Sequence, residues 1–216
     1  MNKDILAKNP IFSELDEAEF NQALNLFSAV RQEYTKNSII LHAGEQMPRF
    51  GVVLSGIVQV SFTDIDGNEV LMASAVSGDA FGESLCWLKT QEVPVTITAF
   101  TDVTLLWLSP ESLRSGDASP LLAKLRNRFI SMLAEKALSM NERVQILSKP
   151  TIRLRLVTFF SQCAAKYGGK TFSVPFDRES LARYIGVNRA SLSRELSAMQ
   201  DEGVIEFYKN SFKILK

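Results

Sequence analysis

The residues whose types and spacing could do chemistry are concentrated in one stretch, FDRESLARYIGVNRASLSRELSAMQDEGVI at 176–205. Asp177 can cap a helix running to Ile185, Gly186 can end that helix in the left-handed conformation, and Asn188 can cap a second helix ending before Gly203. Two short helices joined by a tight glycine turn make a helix-turn-helix, and the small Ala182 lets them approach closely. Leu181, Ile185, Val187, Leu192 and Leu196 fall on the inner side of such a pair, leaving Arg189, Ser191, Ser193 and Arg194 along the outer N-terminal part of the second helix. A major-groove reader needs those groups. Arginine offers a bidentate fork to guanine, serine bonds base or phosphate, and helix N-termini favour phosphate oxygens. The segment VIEFYKNSFKILK then alternates around Lys209-Asn210 and predicts a two-stranded wing. Amphipathic helix pairs with exposed Arg and Ser are common, so the motif has to be weighed with the rest of the chain.

Charge supplies part of that weight. The 216 residues hold 24 Lys plus Arg and 24 Asp plus Glu, but the balance is uneven. Residues 1–147 carry 12 basic and 18 acidic residues, net −6, and residues 148–216 carry 12 basic and 6 acidic, net +6. A basic C-terminal segment attached to an acidic partner points to a polyanion met by the C-terminal part alone. Other chemistry is excluded by scarcity. With His42 the single histidine and Cys86 and Cys163 the only cysteines, no zinc or iron–sulfur site of several His or Cys ligands can be built. A hydrolytic triad would have to use His42, so no enzyme is expected and no metal site is assigned. Two separated cysteines are not a disulfide framework, MNKDILAKNP lacks a signal peptide's apolar run, and no apolar stretch approaches the roughly 20 residues of a membrane span. A cytoplasmic, membrane-free protein is expected, and 46% apolar residues allow it a folded core.

The elements that would position the motif follow from periodicity. A helix over 16–27 places Leu15, Phe20, Leu24 and Phe27 on one face. From Ser38 to Leu108 short β-branched and aromatic runs alternate, punctuated by Gly44, Gly56, Gly67 and Gly78 at spacings of 12, 11 and 11 residues. Asp66-Gly67 is a hairpin signal, and strands at this spacing predict a jelly roll or barrel. Residues 119–148 then read as one helix, with Pro120 tolerated near its start. At about 1.5 Å per residue it is ~40 Å long, more than a small barrel needs as cover. A seam of Leu125, Phe129, Met132 and Met140 could pair with its copy in a homodimer; the alternative is a helix packed on its own β domain. Lys149-Pro150 breaks the helix where the charge changes sign. A further helix over 151–167, with Leu154, Val157, Phe159 and Phe160 inward, ends at Gly168-Gly169. The domains expected are therefore 1–118, 119–148 and 149–216, an α+β chain of β-roll, long dimerisation helix and winged helix-turn-helix.

GDAFGE at 78–83 and LARYIGVNRASLSREL at 181–196, in that order along the whole chain, resemble the Crp-Fnr superfamily of bacterial transcription regulators. In that family the first motif opens a cyclic-nucleotide-binding-like ligand cassette and the second contains the recognition helix. The resemblance implies double-stranded DNA as partner, bound as a palindromic operator with half-sites about 34 Å apart. It implies Arg178 on phosphate and Arg189, Ala190, Ser193 and Arg194 on base-reading or adjacent positions, Arg194 reading guanine; the cap Asn188 and the outer-face Ser191 complete the expected DNA-binding set. Ala190 stands where members often carry Glu, so the preferred sequence should differ from theirs. The cyclic-AMP-binding members place an Arg-Ser pair ten and eleven residues after the motif's Glu. Counting from Glu83, this chain has Val93 and Pro94, so cyclic AMP is not expected.

The four-cysteine iron–sulfur cluster of the family's oxygen sensors is excluded, while haem keeps one candidate axial ligand in His42. A small-molecule effector of unknown identity would sit between β-roll and long helix, against Gly82, Glu83, Ser84, Trp87, Thr96, Met132 and Lys136, unless Trp87 and Met132 simply fill the core. The turn at 166–170 is a candidate contact for RNA polymerase. Two rivals remain, a cupin-type β-roll enzyme, which lacks the clustered histidines its metal would need, and a cyclic-nucleotide signalling module without DNA binding, against which Arg189 and Arg194 speak.

Overall fold

The computed structural model describes residues 3–66, 69–115, 119–174 and 176–216. Two short helices come first, α1 (Lys3–Leu6) and α2 (Glu17–Leu26), followed by strands β1 (Val30–Tyr34), β2 (Ile39–Leu41), β3 (Phe50–Ser55), β4 (Val58–Thr63), β5 (Glu69–Ala75) and β6 (Ala80–Phe81). Helix α3 (Glu83–Trp87), strands β7 (Thr96–Ala99) and β8 (Val103–Leu108), and helices α4 (Glu111–Arg114) and α5 (Pro120–Leu147) follow. The remainder is α6 (Ile152–Tyr167), β9 (Thr171–Ser173), α7 (Arg178–Tyr184), α8 (Arg189–Asp201), β10 (Ile205–Tyr208) and β11 (Ser211–Ile214). The chain divides into two compact units, Met1–Ala134 and Glu135–Lys216, and the division falls within α5.

In the first unit, two antiparallel four-stranded sheets, ordered β1-β8-β3-β6 and β2-β7-β4-β5, face each other as a β-roll. Period-2 alternation explains why β3 is an unbroken apolar run. Val53 points with Leu105 of β8 into the roll, and Phe50, Val52 and Leu54 point the other way with Leu106 and Leu108, under the helices. The helical cover uses Phe20, Ala23 and Leu24 of α2 and Leu121, Leu122, Leu125, Phe129 and Met132 of α5. A capping box between Asp16 and Glu19 starts α2 where the sequence predicts it. Turns fall at Gly44, Gly56 and Gly78, all with positive φ, and Gly67 lies outside the described residues. At Gly56 a side chain is excluded twice over, since φ is +86° and a Cβ would come within 2.2 Å of the Asp102 carbonyl oxygen.

Three elements depart from expectation here. Strand β1 precedes the alternating region; VRQEY is polar because it is an edge strand exposed over most of its length. Helix α3 interrupts the predicted strands just after GDAFG. The seam assigned to α5 is corrected. Leu125, Phe129 and Met132 are 0%, 0% and 3% exposed within the chain's own core, where Phe129 meets Phe50 and Trp87, so a second helix cannot reach them. Of that set only Met140 is exposed.

The second unit is built around Ile146 of α5, the aromatic face of α6 and the inner residues of α7 and α8. Thr151 caps α6, and Gly168 ends it with φ +69°. The buried face of α6 is Leu156, Phe159, Phe160 and Cys163, a clean i, i+3, i+4, i+7 set. Leu154 and Val157, expected inward, are instead exposed. The wing pairs Ile205 with Ile214 through Tyr208 with Ser211, and β9 adds a third strand that the sequence pattern does not predict. Among the described residues no helix is long and apolar enough to cross a membrane.

Candidate nucleic-acid interface

Local capping sets the helix-turn-helix. The Asp177 carboxylate accepts from the Ser180 backbone N–H at 2.7 Å, a bond that holds its acid below the usual carboxylate range. Gly186 follows α7 with φ +70°, and the Asn188 side chain accepts from the Ser191 N–H at 2.8 Å to open α8. Leu181, Ala182, Ile185, Leu192 and Leu196 are buried and Val187 half-buried, as their spacing predicts.

The outer face then carries the predicted set. Asn188, Arg189, Ala190 and Arg194 are exposed, and Ser191 and Ser193 are half-exposed. The Arg194 guanidinium donates to the Ser191 hydroxyl at 3.2 Å, and among the described residues neither it nor Arg189 has a carboxylate within ion-pair distance. Arg178 stands apart at the start of α7. Its guanidinium lies 5.0 Å from the Phe207 ring and 5.7 Å from that of Phe212, and it donates to the Lys209 carbonyl at 3.0 Å. It therefore links α7 to the wing. Burial, with the nearby Arg189, lowers its pKa.

Three arginines that sequence reasoning did not single out hold this surface in place. Arg153 of α6 binds Glu195 through Nε at 2.6 Å and Glu202 through both terminal nitrogens at 2.7 Å. Both carboxylates lie on or at the end of α8, so Arg153 neutralises the back of the helix whose front is cationic. Arg155 donates to the carbonyls of Ile185 and Gly186, satisfying the turn between the two helices. Arg143 donates to the Tyr184 carbonyl and sits 5.7 Å from its ring. All three partnerships span 30 residues or more, so no local pattern announces them.

The residues expected to hold an effector are placed differently. Gly82, with φ +74°, precedes α3, and the Met47 thioether lies so close that a Cβ on Gly82 would fall 2.0 Å from Met47 Cε. Glu83 is a buried carboxylate, Ser84 is exposed, and the Thr96 hydroxyl accepts from the Ala43 N–H at 3.3 Å. Trp87, half-buried, packs on Phe129 at 5.1 Å and Met132 is buried in the core, whereas Lys136 belongs to the second unit. Val93 is 1% exposed, packed in the roll interior with Met47. His42 lies beyond the end of β2, exposed in a turn, its backbone N–H donating to Glu45. Cys86 and Cys163 are buried in different units, each thiol pushed up to about 11 by desolvation. Among the described residues no cluster of His, Cys, Asp or Glu could hold a metal ion. The 166–170 turn is exposed throughout.

Comparison with known proteins covers both units. Residues 31–116 match the family model of the cyclic nucleotide-binding domain and residues 154–216 that of the Crp-like helix-turn-helix domain. A cyclic AMP receptor protein of Thermus thermophilus is 27% identical over 91% of this chain and 88% of its own length. The transcriptional activator protein FnrA of Stutzerimonas stutzeri is 23% identical over 83% of this chain and 74% of that protein. Among solved structures, the c-di-GMP responsive regulator CLP of Xanthomonas campestris shares the fold with a TM-score of 0.58 at 18% identity, covering 93% of this chain and all of that one. DNR of Pseudomonas aeruginosa does so with a TM-score of 0.51 at 20% identity, covering all of this chain and 94% of that one.

Proposed function

The chain belongs to the Crp-Fnr family of transcription regulators, and on that premise we propose that it binds a palindromic operator as a homodimer under the control of a small molecule other than cyclic AMP. The observation that carries the reading is the exposed front of α8, bearing Arg189, Ala190 and Arg194 behind an Asn188 cap with, among the described residues, no carboxylate within ion-pair distance of either arginine, while Glu195 and Glu202 at the rear are tied to Arg153. Arg194 reads guanine, Arg189 and Ser193 meet bases or the phosphates beside them, and Arg178 anchors phosphate from its stack on the wing.

The dimer seam is drawn from what α5 leaves open. Ile130, Ala134, Ala137, Asn141 and Val144 are exposed and follow one another at steps of four and three, the heptad spacing of a paired helix. The two alanines permit close approach, and Asn141, polar within the stripe, favours a two-stranded pairing in one register. Cyclic AMP is set aside because Val93 is buried and Pro94 has no N–H, so this cassette offers no cation for a cyclic phosphate at those positions.

Selection of bound DNA from a random pool, with and without small metabolites, tests the reading. It expects a twofold-symmetric consensus with half-site centres about one helical turn apart. An asymmetric or sequence-independent pool overturns it. Light scattering should give twice the 24.1 kDa chain mass, and Val144→Asp should return it to that mass.

A further inference from the structure

The β-roll is open along one side. Among the described residues strand β1 pairs only with β8 and β2 only with β7, so each is the edge of its sheet. Between these edges lies a groove of about 300 Å³, lined chiefly by Gln32 and Tyr34 of β1, Leu41 of β2, Met47, Arg49 and Trp107 of β8. The register opposes Val30 to Trp107 and Tyr34 to Val103, which puts the indole and the phenol on one face. The Trp107 indole N–H donates to the Tyr34 hydroxyl at 3.1 Å, fixing the two rings as a rigid apolar wall with one polar edge.

A cation stands at the rim. Arg49 donates through one terminal nitrogen to the Ser28 carbonyl at 2.7 Å, and among the described residues no carboxylate lies within 4.0 Å of it. A guanidinium anchored by a single carbonyl keeps donors in the fork geometry that matches a carboxylate. The floor is Met47, 4% exposed, whose far side fills the space over Gly82. Gly82 opens α3, and Trp87 at the end of α3 lies 5.1 Å from Phe129 of α5. One flexible thioether thus separates an open groove from the motif that opens the ligand cassette.

We propose that this groove binds a small amphipathic carboxylate, its apolar body against Tyr34 and Trp107 and its carboxylate on Arg49, and that Met47 transmits occupancy to α3. The volume sits at the small end of ligand cavities, which suits a monoanion of this kind and is too little for a dinucleotide. Binding stands apart from the DNA-binding reading; only the regulatory meaning of the Met47 contact rests on it.

The test uses the full chain without DNA and titrates octanoate, phenylacetate and the neutral alcohols of the same bodies, read by calorimetry and tryptophan fluorescence. One acid should bind saturably with the fluorescence change lost in Trp107→Phe, and the matching alcohol should bind at least about tenfold more weakly. Arg49→Gln should weaken the acid by about tenfold or more and leave the alcohol unchanged, with circular dichroism confirming the fold. Arg49→Lys should recover part of the loss. Acid binding should also slow hydrogen exchange over 83–87, an effect lost in Met47→Ala even at acid concentrations that saturate the variant. No acid binding tighter than about 1 mM, or equal acid affinity in Arg49→Gln, overturns the site. Unaltered exchange over 83–87 overturns the transmission.

Discussion

The two motifs that carry the family likeness have had opposite fates. At 181–196 the polar side chains remain in the open: Asn188, Arg189 and Arg194 face solvent and the helix behind them is braced by Arg153. At 78–83 the backbone frame persists, with a left-handed Gly82 opening α3, but the space around it is closed by apolar side chains, Met47 against Gly82 and Val93 in the roll interior. A reader of DNA keeps its chemistry in exposed side chains, which packing leaves alone. A sensor keeps its chemistry in a cavity, and a cavity is lost as soon as a neighbour fills it.

Four variants sharpen or break this contrast, the largest effect first. Phe129→Ala should destabilise the first unit by about 3–5 kcal/mol, because it empties a fully buried ring site. Thermal unfolding checks it, and a loss of dimer with no loss of stability would return Phe129 to an intermolecular seam. Val93→Arg should cost at least about 2 kcal/mol and restore no cyclic AMP binding, since it buries a cation where Met47 already occupies the space over Gly82. Calorimetry showing cyclic AMP binding in that variant would mean the cassette is open.

Arg194→Ala should lower affinity for the selected operator by about 1–3 kcal/mol and relax one base position, whereas Arg178→Ala should weaken all duplexes alike and reduce the salt slope by about one. Equal losses for Arg194→Ala on specific and random DNA would remove it from base readout. The smallest effects belong to the thiols. Desolvation lifts Cys86 and Cys163 from 9.0 to about 11, so native protein at pH 8 should react with a thiol reagent far more slowly than unfolded protein. Because the unfolded thiols ionise first, they bind fewer protons than the native ones between those values, and stability should fall as pH rises from about 9 to about 11. Equal reaction rates before and after unfolding would show the thiols to be accessible.

The contrast also explains what could be read in advance. The helix-turn-helix was legible because its determinants are local: Asp177, Gly186 and Asn188 act within three or four residues of themselves. Arg153 and Arg155 were not, since their partners lie 30 to 49 residues away. The α5 stripe of Leu125, Phe129 and Met132 has the right period, but period reports that a face is buried and says nothing of what buries it. Residues 130–144 carry the complementary stripe, weaker in hydropathy because alanine and asparagine sit in it. Strand β1 escaped notice because an edge strand that is mostly solvated needs no apolar alternation.

The sandwiching of β3 and β8, covered by helices on one face and by the opposite sheet on the other, has a kinetic consequence. Their amides are the ones whose exchange requires the whole first unit to open, while β1 and β2 at the margins can detach alone. The molecule therefore offers a slow clock at its centre and fast ones at its rims, and the ratio between them measures how independently the open side of the roll breathes.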